Sequence, residues 1–491
     1  MDWPAANADF DALLGQARTV AALPAALPDS LPLAALRTLA ERLGSAPDGA
    51  AEAVQPGRLR GAIEGVIAGL DLMLSGQLNA ILHAPEYQAL EASWRGLHML
   101  VRASRRDLGV RVRVLNIGKR ELARSLRKFR GTAWDQSPMF QRFYDEEYGQ
   151  LGGEPYGVLV ADYEFDHRPD DVALLSDVAM IAAAAHAPFI SAAAPSLLGM
   201  DSWTEVANPR DILRITATPE YAAWRALRDQ PDSRYIGLAM PRFLARLPYG
   251  AATDPLDAFA FEEDTAGEDC TRLLWANPAW AFAANLTRAF AEHGWCCRIR
   301  GIDRGGVVEG LPVLRHPTAN GNVDRRTVTE ICITERREAE LASCGLMPLV
   351  HRKNSDVAAF ISAQSLQKPQ VFDDPDATSN ANLSARLPYL FASCRFAHYL
   401  KCIVRDKVGA TMSRGALSAY LSEWLLGYVD GSPSTSSEDF KAAHPLSAGQ
   451  VRLEDIEDKP GQFEAKVFLT PHYQLEGLSV AIRLTSRIAS Q

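Results

Sequence analysis

From Leu59 onward, apolar residues recur at helical spacing. Ile63, Val66, Ile67, Leu70, Leu74, Leu78, Ile81 and Leu82 fall on one stripe, the 3.6-residue period of a helix with a face to cover. Pro85 interrupts that stripe and suits the first turn of a second helix. In it Tyr87, Leu90, Trp94, Leu97 and Val101 take successive a and d positions. Two heptads are too few for a long coiled coil, so residues 58–109 read as a helical hairpin packed on a sheet.

Beyond the hairpin the period alternates between two and 3.6. Val110, Val112 and Val114 alternate with Arg111 and Arg113, the pattern of a strand with one wet face through Asn116. A basic helix is expected over residues 119–130, then the aromatic segment Phe140–Tyr148. GVLVA (157–161) predicts a buried strand ending at Asp162, Leu174–His186 a helix and Phe189–Ala192 another strand. This β-α-β order predicts an α/β layer with some parallel pairing over 110–250.

Asp254, Asp257, Glu262, Glu263, Asp264, Glu268 and Asp269 fill a stretch free of Lys and Arg, which reads as an acidic linker over 251–271. A second α/β region, 272–450, opens with a helix at Pro278–His293. Strands are expected at Trp295–Arg300, Thr327–Thr334, Met347–Val350 and Val357–Ile361, and helices at Leu387–Lys407 and Ala416–Tyr428. At the end of the chain Phe463, Ala465, Val467 and Leu469 alternate with polar residues, as do Leu478, Val480, Ile482 and Leu484. These predict a terminal hairpin within 451–491. Such strands can extend a neighbour's sheet by main-chain hydrogen bonds, and the pattern equally allows pairing within the chain's own domain.

Composition narrows the class. The 491 residues carry a net charge of −9 with the signs interspersed, which disfavours a nucleic-acid binder, since that needs a concentrated basic face. No stretch approaches the ~18 uncharged apolar residues of a bilayer-spanning helix, and the acidic N-terminus is unlike a secretory signal. Seven cysteines lack CxxC spacing and read as reduced cytosolic thiols. Residues 1–57 are rich in Ala and Pro and read as a flexible arm or docking peptide.

Chemistry is hard to find. No phosphate-binding loop, dinucleotide fingerprint, nucleophile elbow or zinc-protease motif is present. Asp162, Glu164 and Asp166 follow a buried strand, where α/β enzymes place acids, but a polar loop explains them as well. No catalytic, cofactor-binding or metal-ligating residue is assigned, and no cofactor is expected.

Eight segments in order carry a resemblance, among them HAPEYQALEASWRGLHMLV (83–101), YGVLVADYEFDH (156–167), RYIGLAMPRFLARLPYG (234–250) and LTPHYQLEGLSVAIRL (469–484). They resemble the large subunit of the type VI secretion contractile sheath, the TssC/VipB family. The resemblance covers nearly everything after residue 57. It implies a mixed α/β sheath-protein fold with two α/β domains, an N-terminal helical arm and C-terminal strands exchanged between subunits. It also implies a structural, non-enzymatic role in the bacterial cytoplasm.

The implied partners are a small sheath subunit (TssB/VipA type), neighbouring sheath heterodimers, a hexameric inner-tube protein (Hcp type) and a baseplate. A AAA+ disassembly ATPase would be reached indirectly, through the small subunit. Phe463, Ala465, Val467, Leu469, Leu478, Val480, Ile482 and Leu484 are the candidate inter-subunit strand residues. Lys401, Arg405 and Lys407 are the candidate inner-tube face, and Tyr87, Leu90, Trp94 and Leu97 the candidate small-subunit contact. A non-polymerising baseplate adaptor and an unrecognised α/β enzyme are the alternatives.

Overall fold

The computed structural model describes residues 56–104, 109–208, 211–257, 259–265, 272–317, 323–325, 328–353, 355–407, 414–432, 434–455, 463–471 and 482–488. The arm expected at 1–57 lies almost wholly outside them. The chain divides into two compact units. One holds residues up to 81 together with 255–263, and the other holds 82–254 and 264–491. The expected acidic linker is therefore divided between the units.

In the first unit, helix α1 (Pro56–Leu82) runs 27 residues, about 40 Å at 1.5 Å per residue. Of its predicted stripe, Ile67, Leu70, Leu74 and Ile81 are exposed and Leu78 and Leu82 are half-buried.

The second unit is built on a six-stranded sheet in the order β1-β2-β3-β9-β10-β6. Strands β1 (Leu159–Phe165), β2 (Phe189–Ala193), β3 (Ile236–Met240) and β9 (Leu346–His351) run parallel. The last two, β10 (Ala358–Phe360) and β6 (Val307–Val308), complete the sheet antiparallel. The short strands β4 (Phe243–Leu244) with β5 (Trp275–Ala276), and β7 (Arg315–Pro317) with β8 (Val323–Arg325), form separate two-stranded pairs. Every residue of β2 and β3 is buried, which explains their unbroken apolar runs: a parallel strand covered on both faces has no wet side. The sheet takes strands from both expected α/β domains, so the anticipated boundary at 251–271 does not divide it.

Helix α2 (Pro85–Ala103) begins with proline in its first turn, as expected, and α3 (Lys119–Arg127) covers most of the basic segment. Helix α4 (Pro169–Ala185) bridges β1 and β2 and ends at His186, held in the left-handed region at φ 51°. Helix α5 (Pro278–His293) has Asn277 as its cap, accepting from the Ala279 amide, and stops at Gly294 with φ 75°. Both α4 and α5 pack on β2 and β3.

A second, smaller core lies between α6 (Leu387–Lys407), α7 (Arg414–Leu426) and a three-stranded antiparallel sheet, β11 (Leu446–Asp455), β12 (Phe463–Pro471) and β13 (Ile482–Ile488). Helix α6 serves both cores. Leu387, Leu390, Phe391 and Cys394 join the main one. Ala392, Phe396, Leu400 and Val404, one turn apart along a single face, join the second. Trp295 stacks on Phe396 with ring centroids 4.2 Å apart.

Three predicted strands are absent. Residues 111–118 hold no ladder, and Val112, Val114 and Leu115 are all exposed. The alternating pattern is there, but this segment has no partner edge among the described residues and is tied down instead by Arg111 to Glu154 and Arg113 to Glu147. Residues 295–300 and 328–334 make only single bridges, Arg300 with Gly305 and Thr329 with Phe243. Trp295 spends its side chain on the aromatic stack instead of a strand face.

Candidate functional site

Helix α2 has two different sides. Its inner side is held against α5, and Gly96 is what allows the approach: a Cβ there would stand 2.2 Å from Trp280 Cδ1. Leu100 is buried on the same side. Ser93 donates to the Asp162 carboxylate, and Glu91 accepts from Arg95 at 2.7 Å and from the buried Arg246 at 2.8 Å. Its outer side is uncovered. Tyr87, Leu90 and Trp94 are exposed, the last by 64%, while Leu97 is half-buried. The expectation of a hairpin packed on a sheet therefore does not hold for Tyr87, Leu90 and Trp94. A helix surface with a large indole and a leucine facing water, on an element otherwise pinned by buried polar bonds, has the composition of a contact surface.

The acids after the predicted strand lie elsewhere than expected. β1 continues through Phe165, so Asp162 and Glu164 are strand residues and not a loop. Burial raises the pKa of both carboxyls. Glu164 lies 4.0 Å from Arg242, which is itself paired with Glu330 at 2.6 Å. Lys119 donates to the Glu164 carbonyl and pairs with Asp171 at 2.7 Å. Asp166 accepts from the Arg168 amide. Each acid thus braces backbone or a neighbouring element. Among the described residues no group of three or more His, Cys, Asp and Glu is placed to hold a metal ion.

At the C-terminus, β12 is the central strand of its sheet and not a free one. Val467 pairs with Val451 on one side and Leu484 on the other, and Leu469 with Gly449 and Ile482. Ala465, Val467 and Leu469 are buried inside this chain. Ile482 and Leu484 lie in β13, an edge strand that pairs only with β12 among the described residues. Phe463 opens β12, opposite Asp455, and Leu478 and Val480 lie outside the described residues. Strand β11 escaped the sequence reading, although Val451 and Leu453 alternate with Gln450, Arg452 and Glu454 in the pattern that would have revealed it.

The basic residues of α6 correct another expectation. Lys401 turns inward, its ammonium 4.7 Å from the Tyr148 ring centroid and 5.1 Å from that of Tyr144. Burial pulls its pKa down to about 8. Arg405 donates to three carbonyls of one loop, those of Glu147, Gln150 and Gly153. Neither side chain belongs to an exposed basic face, because this chain already uses both. Lys407 is the last residue of α6.

Beside Lys401 lies a buried cluster that sequence gave no means of assembling. His398 bonds the Ala185 carbonyl through Nε2 at 3.0 Å, and the Tyr148 hydroxyl donates to the same carbonyl at 3.0 Å. His186 lies next to it, rings 6.3 Å apart. Burial lowers the pKa of both imidazoles, that of His398 to about 3.

Comparison with known proteins covers nearly the whole described chain. Residues 64–367 match the model of the EvpB/VC_A0108 tail sheath N-terminal domain, and residues 376–488 that of the EvpB/VC_A0108 tail sheath gpW/gp25-like domain. The type VI secretion system sheath protein TssC1 of Pseudomonas aeruginosa is 59% identical over 428 residues, 87% of this chain and 86% of that protein. A chain of the anti-feeding prophage baseplate aligns at 11% identity and a TM-score of 0.34, over 78% of this chain and 81% of its own length. The sheath tail protein of Desulfitobacterium hafniense aligns at 9% and 0.30, over 66% and 56%.

Proposed function

The chain belongs to the EvpB/VC_A0108 tail sheath family, as a large structural subunit of a type VI secretion contractile sheath, and from that premise we propose that it works through two packing surfaces and no chemistry of its own. The outer face of α2, with Tyr87, Leu90, Trp94 and the half-buried Leu97, packs the small sheath subunit (TssB/VipA type). The open edge of β13, carrying Ile482 and Leu484, adds to the sheet of a neighbouring heterodimer, with β12 anchoring it to the second core. Heterodimers joined this way polymerise around an inner tube of Hcp type on the baseplate, in the bacterial cytoplasm. The AAA+ disassembly ATPase reaches them through the small subunit.

The observation that carries this reading is the exposure of Leu90 and Trp94, 57% and 64%, on a helix otherwise locked into the fold. Contraction then draws on the free-energy difference between two packings of the same rigid bodies. The carboxylates that an enzyme would need are engaged as braces, which favours assembly over catalysis. Co-expression with the small subunit, followed by electron microscopy, tests the proposal. A stable complex that forms tubules with cogwheel cross-sections is expected, and a chain that remains free would overturn it.

A further inference from the structure

Between α2, α5 and the loop after β6 lies a cavity of about 460 Å³. Met99, Val308, Leu311 and Pro312 give it apolar walls, and Arg102, Asn285 and Arg288 also line it. Asn285 is 1% exposed. Arg288 donates to its Oδ1 at 2.9 Å, which fixes the amide orientation, since a guanidinium can only donate. The amide nitrogen, Nδ2, is then a buried donor with no acceptor among the described residues, an arrangement that is unfavourable unless something fills it.

The charges around it point the same way. Arg288 gives its other bonds to the carbonyls of Gly305 and Val307, at 2.9 and 2.7 Å. Among the described residues neither Arg288 nor Arg102 pairs with a carboxylate. Arg95, also on the wall, is already held by Glu91. Glu309, the one acid on the lining, is exposed and works against an anion, so the preference rests on Arg288 and Arg102.

We propose that this cavity receives the carboxylate of an aspartate or glutamate side chain from a protein chain packed along α2, with Asn285 Nδ2, Arg288 and Arg102 as its donors. Apolar walls suit the methylenes of such a side chain and would strip the hydration shell of a free inorganic anion. Arg95, His98 and Arg102 on the lining belong to the same helix that exposes Leu90 and Trp94, so a chain packed along α2 can reach both. The inference rests on the reading of α2 as a contact helix and adds to it the chemistry of the partner.

Two measurements test it. In the first, the full chain is titrated with N-acetylglutamate methylamide, its glutamine counterpart and inorganic phosphate. The glutamate probe should bind, with the glutamine probe at least tenfold weaker, as for a lost charge-assisted bond. Arg102→Gln, at an exposed position that the fold does not need, should cost about tenfold for the glutamate probe alone. Equal binding of glutamine, tighter binding of phosphate, or no binding overturns the proposal. In the second, a photo-crosslinking residue at His98, on the cavity wall, is used in the co-expressed sheath complex. A crosslinked partner peptide carrying Asp or Glu supports the carboxylate, while a peptide without either, or no crosslink, overturns it. If Trp94→Ser leaves assembly intact, the contact-surface reading fails separately, whatever the probe titration returns.

Discussion

Gly96 and Trp280 stand so close that any side chain at position 96 must displace the indole: the missing Cβ would lie 2.2 Å from its Cδ1. This contact sets the distance between α2 and α5, and with it the presentation of the outer face of α2. Gly96→Ala should lower unfolding stability by about 1–3 kcal/mol, the cost of overpacking a close helix contact. Chemical denaturation of the full chain measures it, and an unchanged midpoint would show that the helices separate freely.

The exposed residues on the other side of α2 should behave in the opposite way. Trp94→Ser and Leu90→Ser remove side chains that are mostly exposed, 64% and 57%, so folding stability should move by less than about 0.5 kcal/mol. Binding of the small subunit should weaken by about 30-fold or more, as for a central aromatic anchor of an interface. Parallel melting and co-purification separate the two effects. Loss of stability without loss of binding would contradict the assignment.

Two truncations at the C-terminus should differ. Removing residues 463–491 takes Val467 and Leu469 out of the second core and uncovers Val451, Leu421 and Leu425. That variant should unfold locally and become protease-sensitive around α7. Removing residues 482–491 spares β11, β12 and the described residues of that core. It should preserve folding and pairing but abolish tubules, as seen by negative-stain microscopy. Normal tubules from the shorter deletion would refute the role of the β13 edge.

Acidification should destabilise the chain between about pH 6.5 and 5. His398 and His186 have folded pKa values lowered by burial, to about 3 for His398. Below about pH 6.5 the unfolded chain binds protons that the folded chain refuses, so stability is present above that pH and is lost as pH falls. Each such histidine costs up to about 1.4 kcal/mol per pH unit across that range. The carboxyls of Asp162 and Glu164, whose pKa burial raises, act in the opposite sense and blunt the slope. Denaturation at pH 7, 6 and 5 on the native chain and on His398→Gln tests it: the variant should show the shallower dependence.

Much of the helical framework was legible because its punctuation is local. Asn277-Pro278 and Gly294 bracket α5 by capping chemistry alone, and α6 matched its predicted bounds. Strand boundaries were harder. In LVADYEF the acids at Asp162 and Glu164 looked like a strand's end, yet Ser93 and Arg242, distant in sequence, allow them to stay inside it. Val110–Asn116 had the right alternation and no neighbour to pair with, a fact no local pattern contains. The assembly surfaces were half legible. The spacing of Tyr87, Leu90 and Trp94 marked a face, but whether it met the core or water depended on Gly96 turning the helix's other side to α5. For Lys401 and Arg405 charge alone suggested an outward face, and the rings of Tyr144 and Tyr148 and the 147–153 loop decided otherwise.

Because α6 gives one face to each of two cores, the C-terminal sheet and the parallel sheet share a single beam of 21 residues, about 31 Å long. In mechanical terms the two cores are joined by a stiff member, not a hinge. Stiff and soft parts loaded in series divide strain according to compliance, so in the proposed assembly deformation would concentrate at the proposed joints, the β13 edge and α2. On that proposal, a filament made of such parts would lose little of its stored work to bending within subunits and deliver most of it where subunits meet.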